Sequence, residues 1–379
     1  MTELSQIRIE DQIKEIAKKA GADLVGITSK DRLMDNKCSD PTYLLPAAES
    51  VIGFAISLDK KIVRDFLQKK DISAQKKMSL EEGKLYHRLE DIGNAIKEFL
   101  ESKGYEAVNC EVNMDYRKYK RRGKGQLKQL KQLIELAQKN PDHPLVQGLK
   151  KGGFKLIDLD LTPQISHRYV GVACGIGRLG WSGNLMTPEY GTRIYLGSVI
   201  TNAKLKSDPY LEENPCTRCK VCVSMCQGQF FDPKETQIVK IGEIEEVIAK
   251  RHTLAKCILS CGAFTGRSKF KDWSTWSPWR IDIPEDDNEA DKKVQQTFIE
   301  YILTGGEKAA NVLRLATDTQ LGFLKSVKPV EDFQVTCGFC QLVCWESEEE
   351  RHENARIVRS SGVVELDDKG NRIIKTISK

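Results

Sequence analysis

The chain has 379 residues, enough for two or three domains or for one large domain carrying an inserted module. Hydrophobic residues at 40% supply a packed core, and the 30% that are charged nearly cancel, leaving a net charge of +5. No apolar run is long enough to span a bilayer, and residues 1–13 are polar and amphipathic, without an apolar signal core or twin arginine. These features exclude a bilayer-spanning apolar helix. They predict a soluble, cytoplasmic one with no membrane partner, where thiols stay reduced.

In chain order, Ile9, Ile13, Ile16, Ala17 and Ala20 recur at helical spacing and stop at Gly21. Residues 24–27 and 51–58 read as strands. Residues 80–103 read as a long helix with Leu89, Ile92, Ile96, Phe99 and Leu100 inward, ending near Gly104, and 106–110 as a strand. Residues 117–131 hold Arg117, Lys118, Lys120, Arg121, Arg122, Lys124, Lys128 and Lys131 with no acid among them. Such a run is ordinarily a solvated face; the sharper reading is a patch for phosphate, nucleic acid or an acidic electron donor. Helical spacing resumes over 127–134, and Pro141 and Pro144 break it. Residues 154–159 read as a buried strand, 170–177 as a helix running into a glycine-rich turn, and 193–201 as a strand. Residues 362–377 alternate around Asp367 to Asn371 and read as a hairpin.

The cysteines carry the first chemical signal. Cys216, Cys219, Cys222 and Cys226 form C-x2-C-x2-C-x3-C, and Cys337, Cys340 and Cys344 form C-x2-C-x3-C. Structural zinc prefers paired C-x2-C knuckles, and a chain of this size needs no disulfide staples. The spacing therefore points to two [4Fe–4S] clusters, each held by four thiolates, with the last cysteine of a run serving the other cluster. That rule groups Cys216, Cys219 and Cys222 with Cys344, and Cys226, Cys337 and Cys340 with Cys257. Cys261 is the rival for the last place. Cys38, Cys110 and Cys174 stand alone and read as buried small apolar residues. The cluster module spans 211–346, interrupted by 265–330, where Trp273, Trp276 and Trp279 recur every third residue. Such a stripe is ordinarily packing; the alternative is a wall against water or a grip on a flat ligand.

Residues 174–202 read CGIGRLGWSGNLMTPEYGTRIYLGSVITN. Gly175, Gly177, Gly180 and Gly183 allow close backbone approach to a large ligand, and 188–191 form a turn feeding a strand. Gly175-x-Gly177-x-x-Gly180 has the letters of a dinucleotide fingerprint. It follows a helix-like stretch instead of a strand, so a Rossmann site is unsupported.

This glycine segment, with its Thr187-Pro188-Glu189-Tyr190-Gly191 turn, resembles the cobalamin-binding segment of the family of epoxyqueuosine reductases and reductive dehalogenases. Cys340-Gln-Leu-Val-Cys344 is close to the epoxyqueuosine branch, and Ala20-Gly-Ala-Asp-Leu-Val-Gly-Ile27 resembles the family's first helix–strand unit. The resemblance implies an α/β (α+β) fold. A nitroreductase-like cobalamin-binding core (1–210, basic insertion about 115–150) would carry a ferredoxin-like double-cluster module (211–346) and a tail (347–379). It implies base-off cobalamin, which the absence of D-x-H-x-x-G matches. The cofactor would be held by the four glycines with Asn184, Leu185, Met186, Thr187, Pro188, Glu189, Tyr190 and Gly191. Electrons would pass through both clusters to cobalt.

For the proton, the epoxide-reducing members have an Asp in D-x-x-P, and Asp160 with Pro163 occupies that place; the bland reading is a turn cap. Dehalogenases pair a Tyr with a basic residue. Tyr169 and Arg178 are candidates by position, Tyr116 and Tyr119 remain open, and His167 is a neighbour. Trp181 stands where dehalogenases tend to have a basic residue. The implied function is reductive cleavage of a small organic substrate, as in reductive dehalogenases, with a reduced ferredoxin or flavodoxin-type donor. The alternative is epoxyqueuosine reduction on tRNA, favoured by Asp160-x-x-Pro163 and the basic run. Electron transfer alone, or reductive activation of another corrinoid protein, are further alternatives.

Overall fold

The computed structural model describes residues 8–112, 132, 135–137, 139–150, 162–266, 272–304 and 336–376. The basic run, the strand expected at 154–159, Asp160, Tyr116 and Tyr119 lie outside the described residues.

Helix α1 (Ile9–Lys19) buries Ile13 and Ala17, and its first-turn acids and last-turn lysines complement the helix dipole. Strand β1 (Leu24–Ser29) follows Gly21, whose φ of +104° ends the helix turn. Strand β2 (Ser50–Ser57) leads into α2 (Lys60–Gln68), where the Asp59 carboxylate accepts from the Ile62 amide at 2.9 Å. Helix α3 (Ser73–Ser102) is longer than the expected 80–103, and β3 (Ala107–Asn109) follows it. After α4 (Pro144–Lys150) come α5 (His167–Ala173), the short pair β4 (Arg178–Leu179) and β5 (Leu185–Met186), and β6 (Ile194–Thr201).

Strands β1, β2, β6 and β3 form one sheet in that order, with every pairing antiparallel. Side chains alternate across a strand, so the continuous apolar run of β2 serves two layers. Ile52, Phe54 and Ile56 pack with α1, α2 and α3, whereas Val51 and Ala55 pack with Val170, Val172 and Ala173 of α5. The chain is thus a mixed helix-and-strand fold with a sheet covered on both faces.

The cysteine-bearing part holds α6 (Val221–Ser224), a hairpin of β7 (Phe231–Ile241) and β8 (Ile244–Arg251), α7 (Leu254–Cys261), α8 (Asp287–Thr304) and α9 (Phe339–Leu342). Helix α10 (Glu348–Ser360) and the hairpin of β9 (Val363–Leu366) and β10 (Arg372–Lys375) complete the chain. The tail hairpin matches the expectation, whereas β7–β8 and α10 were not foreseen. Val221, Phe339, Val343 and Trp345 share one apolar core with Phe66 and Ile52, so the core runs unbroken across residue 210. Trp273 and Trp276 belong to that core: the Trp276 ring lies tilted against Phe66, centroids 5.4 Å apart, and its indole N–H donates to the Phe66 carbonyl at 3.1 Å. The stripe is packing at these two positions; Trp279 is half-buried.

Candidate active site

Left-handed backbone at Arg218 and Lys220 (φ 59° at each) curls the first run so that its cysteines gather. The Cys222 thiol is pushed up by burial and by its neighbours Cys344, Cys216 and Cys219. The Cys226 thiol is pushed up to about 12 by burial, with Cys257 and Cys337 beside it. Cys340 has Cys226, Cys337 and Cys257 among its neighbours. The folded chain thus brings Cys222 near Cys216, Cys219 and Cys344, and Cys226 near Cys257 and Cys337. Helix α7 places Cys257 and Cys261 one turn apart with sulfurs at 3.4 Å. Cys257 is the one that neighbours both Cys226 and Cys340, while Cys261 turns toward Cys337 and is exposed. Backbone N–H groups of Trp181 and Phe230 donate to the sulfurs of Cys216 and Cys226, at 3.3 Å each. Among the described residues, no three His, Cys, Asp or Glu side chains converge as one metal ion would require. A four-iron cubane is larger than one ion and spreads its thiolates further apart.

The glycine segment lies against these cysteines. A Cβ at Gly191 (φ +59°) would meet the Cys344 carbonyl at 2.4 Å, and one at Gly177 the Met186 carbonyl at 2.4 Å. A Cβ at Gly180 would come no closer than 3.6 Å to anything, with the Cys216 sulfur at 3.7 Å. Close approach here is thus largely of chain to chain. Thr187 and Gly191 exchange backbone hydrogen bonds at 2.9 and 3.0 Å, closing the expected turn over Pro188, Glu189 and Tyr190.

A cavity of about 490 Å³ opens between α3, α5, β6 and this segment. Gly183, Asn184 and Leu185 line it, as do His167 and Tyr169, whereas Gly175, Gly177, Gly180, Met186 and residues 188–191 are not in its described wall. Pro163, of the D-x-x-P, lies at its edge, as does Val112, each beside an undescribed segment. Thr192, Gln341 and Arg251 connect the cavity to the cysteines. The Thr192 hydroxyl donates to the Gln341 carbonyl at 2.6 Å, and burial lowers the Arg251 guanidinium, which has Cys257 and Cys340 nearby.

Two expectations change. Arg178 is outside the lining: it donates to the Glu246 carboxylate at 2.7 Å and to the Leu211 and Glu212 carbonyls, fastening β4 to β8. The cations beside the Tyr169 phenol are instead Arg251 and Arg168, and burial outweighs them in raising the phenol's pKa. Cys38 is only half-buried, whereas Cys110 and Cys174 are buried as expected; Cys38 and Cys110 both line the cavity.

His167 accepts from the Ser198 hydroxyl at Nδ1 and donates from Nε2 to the Glu111 carbonyl, both at 2.8 Å, and burial lowers its pKa. The sequence reading missed Glu82. Its carboxyl lines the cavity, receives the phenols of Tyr86 and Tyr195, and has a buried Oε2 with no partner among the described residues. Burial pushes its pKa up to about 7 against the lowering effect of the two phenols. The available signal was a polar stripe, Gln75, Ser79, Glu82 and Tyr86, on one helical face.

No protein-family profile matches the chain. Among curated proteins, it is 35% identical over 92 residues to an epoxyqueuosine reductase of Bacillus anthracis, covering 21% of this chain and 24% of that one. It is 38% identical over 65 residues to an epoxyqueuosine reductase of Listeria monocytogenes, covering 17% of each. The matches thus span about a quarter or less of these relatives' length. They bear out the resemblance carried by the motifs. Among solved structures, an epoxyqueuosine reductase with an epoxyqueuosine-modified tRNA-Tyr stem loop aligns with TM-score 0.35 at 18% identity, over 59% of this chain and 52% of that one. A reductive dehalogenase aligns with TM-score 0.45 at 14% identity, over 87% and 39%. No helix among the described residues is long and apolar enough to cross a membrane.

Proposed function

We propose that this chain is a cobalamin- and iron–sulfur-dependent reductase that removes the epoxide oxygen of epoxyqueuosine in tRNA. The observation that carries the reading is spatial. Two sets of cysteines meet, through Thr192, Gln341 and Arg251, the cavity that Gly183, Asn184 and Leu185 line. The curated relatives favour tRNA over a small organohalide, which was the leading expectation from the motifs.

The donor sets suit the cofactors. Cys216, Cys219, Cys222 and Cys344 would hold one cluster; Cys226, Cys257, Cys337 and Cys340 the other. The lining sets apolar Leu44, Ile165, Leu185 and Ile194 among many polar groups, and among the described residues Glu82 Oε2 and Arg251 Nε are unpaired, which suits a ligand with apolar faces and a polar fringe. When bound, a base-off corrin supplies a low-potential cobalt centre for reductive cleavage. The chain's own part is to admit electrons from a ferredoxin- or flavodoxin-type donor, hold the substrate and deliver protons. Reducing an epoxide to an alkene takes two electrons and two protons and releases water. Asp160 remains the proton donor that the resemblance implies.

The test is anaerobic reconstitution of the full chain with iron, sulfide and cobalamin, followed by reaction with an epoxyqueuosine-bearing tRNA stem loop and a one-electron reductant. Corrin absorption bands in the protein and conversion of the modified nucleoside by mass spectrometry are expected. Protein without corrin bands sinks the cofactor assignment. Turnover of a halogenated phenol with none of the stem loop would restore the dehalogenase reading.

A further inference from the structure

The polar stripe of α3 is an anomaly in a helix that otherwise buries apolar residues. Gln75, Ser79, Glu82 and Tyr86 lie on one face and are all buried. Gln75 and Ser79 are accounted for: Gln75 accepts from Arg372 at 3.0 Å, and the Ser79 hydroxyl donates to the Gln75 carbonyl at 3.0 Å. Glu82 differs. Its Oε1 receives the Tyr195 phenol and, at 3.4 Å, the Tyr86 phenol, whose rings meet edge-on at 5.1 Å. Among the described residues its Oε2 is buried without a partner, and all three residues line the cavity. The charged or titratable groups on the other walls are Cys38, Cys110, Glu111, His167, Arg168, Tyr169 and Arg251, and none of them pairs with Glu82 among the described residues.

Resting on the reductase reading above, we propose that Glu82 is a further catalytic acid, protonating the substrate oxygen as its carbon–oxygen bond breaks, with Tyr195 and Tyr86 fixing the carboxyl. The chemistry follows from the two oxygens. A buried carboxyl with no cation beside it favours the neutral form. Two phenols occupy Oε1, so the proton belongs on Oε2, the oxygen left without a partner. The donor's two electrons would be supplied by way of the clusters that the cysteines would hold. Glu82 gives one proton to the departing oxygen, solvent gives the second, and the oxygen leaves as water. The resulting carboxylate keeps both phenol hydrogen bonds until solvent reprotonates it. This acid is distinct from Asp160, and a two-proton reduction has room for both.

The experiment compares reconstituted wild type, Glu82→Gln and Tyr195→Phe on the epoxyqueuosine stem loop, across pH, alongside infrared spectra of the same proteins. Wild type should show a protonated-carboxyl band at pH 6 that fades as pH rises through about 7, and Glu82→Gln should lack it. Glu82→Gln should lose roughly 100-fold or more in turnover with corrin bands and KM unchanged, the usual scale for a positioned acid. Tyr195→Phe removes a hydrogen bond that favours the carboxylate, so the alkaline limb of its rate profile should move to higher pH. This arm decides the matter even where Glu82→Gln fails to fold. An active wild type with undiminished Glu82→Gln turnover, or an unmoved Tyr195→Phe limb, overturns the acid role alone. A wild type inert on the stem loop overturns the reductase reading and the acid role with it.

Discussion

The backbone N–H of Thr192 donates to the carbonyl of Cys344 at 2.8 Å, which ties the start of β6 to the last cysteine of the second run. Gly191 makes that bond attainable. Its left-handed φ of +59° turns the chain, and a side chain there would overlap the backbone of Cys344 and Trp345 at 2.4 to 2.7 Å. Gly191→Ala is expected to lower thermal stability and to strip cluster iron, read by melting and by iron analysis. Gly104→Ala is the control. Its φ of +87° is equally strained, but nothing lies within 4 Å of the added methyl. It should cost only the left-handed penalty of about 1–2 kcal/mol and leave iron content intact.

Cys257→Ala and Cys261→Ala separate two neighbours on one helical turn. Since Cys257 faces Cys226 and Cys340, its loss should drop iron from about eight to about four per chain. Cys261→Ala should keep the full complement. The reverse result would move the ligand to Cys261.

Glu82 makes stability depend on pH. Its folded pKa, about 7, stands above the ordinary carboxylate value of 4.5. The folded state therefore binds more protons than the unfolded one between those values. The stabilising effect is complete below about 4.5 and declines as pH rises through about 7, by an amount on the order of 3 kcal/mol. Glu82→Gln should flatten that part of the profile in urea titrations. Equal slopes in both proteins would show that the carboxyl ionises normally.

His167 works in the opposite sense. Burial holds its folded pKa below the ordinary imidazole value of 6.5, so its neutral form contributes stability above that value, lost as pH falls through the lowered one. His167→Gln should lessen acid destabilisation below about 6.5, measured by the same titrations at stepped pH.

Trp276 is fully buried against Phe66, with its indole N–H engaged by the Phe66 carbonyl. Trp276→Ala should cost roughly 3–5 kcal/mol of unfolding free energy, the range for deleting a buried aromatic. A loss under about 1 kcal/mol would mean that the site collapses onto the space, contrary to close packing.

Helix α1, the inner strands and the tail hairpin are legible in sequence because a single apolar period governs each. The grouping of Cys344 with the first run, and of Cys226 with the second, is legible because cluster ligation leaves short fixed spacings. The start of α3 is not legible. Its first three turns bury Gln75, Ser79 and Glu82, and polar residues facing an internal cavity look like residues facing water. Arg251 is hidden for a different reason. It reaches Tyr169 from β8, so only tertiary folding brings them together, whereas Arg178, close to Tyr169 in sequence, is drawn away by Glu246.

The apolar core shared by Phe66, Ile52, Phe339 and Trp345 has a kinetic consequence. An electron relay built on a swinging module must wait for each swing, and its rate falls as the solvent thickens. Here the cysteine-bearing part is packed into the same interior as the sheet that borders the cavity. The separation between electron source and acceptor would be frozen by side-chain packing, and tunnelling distance, not diffusion of a tethered arm, would set the tempo of each internal transfer.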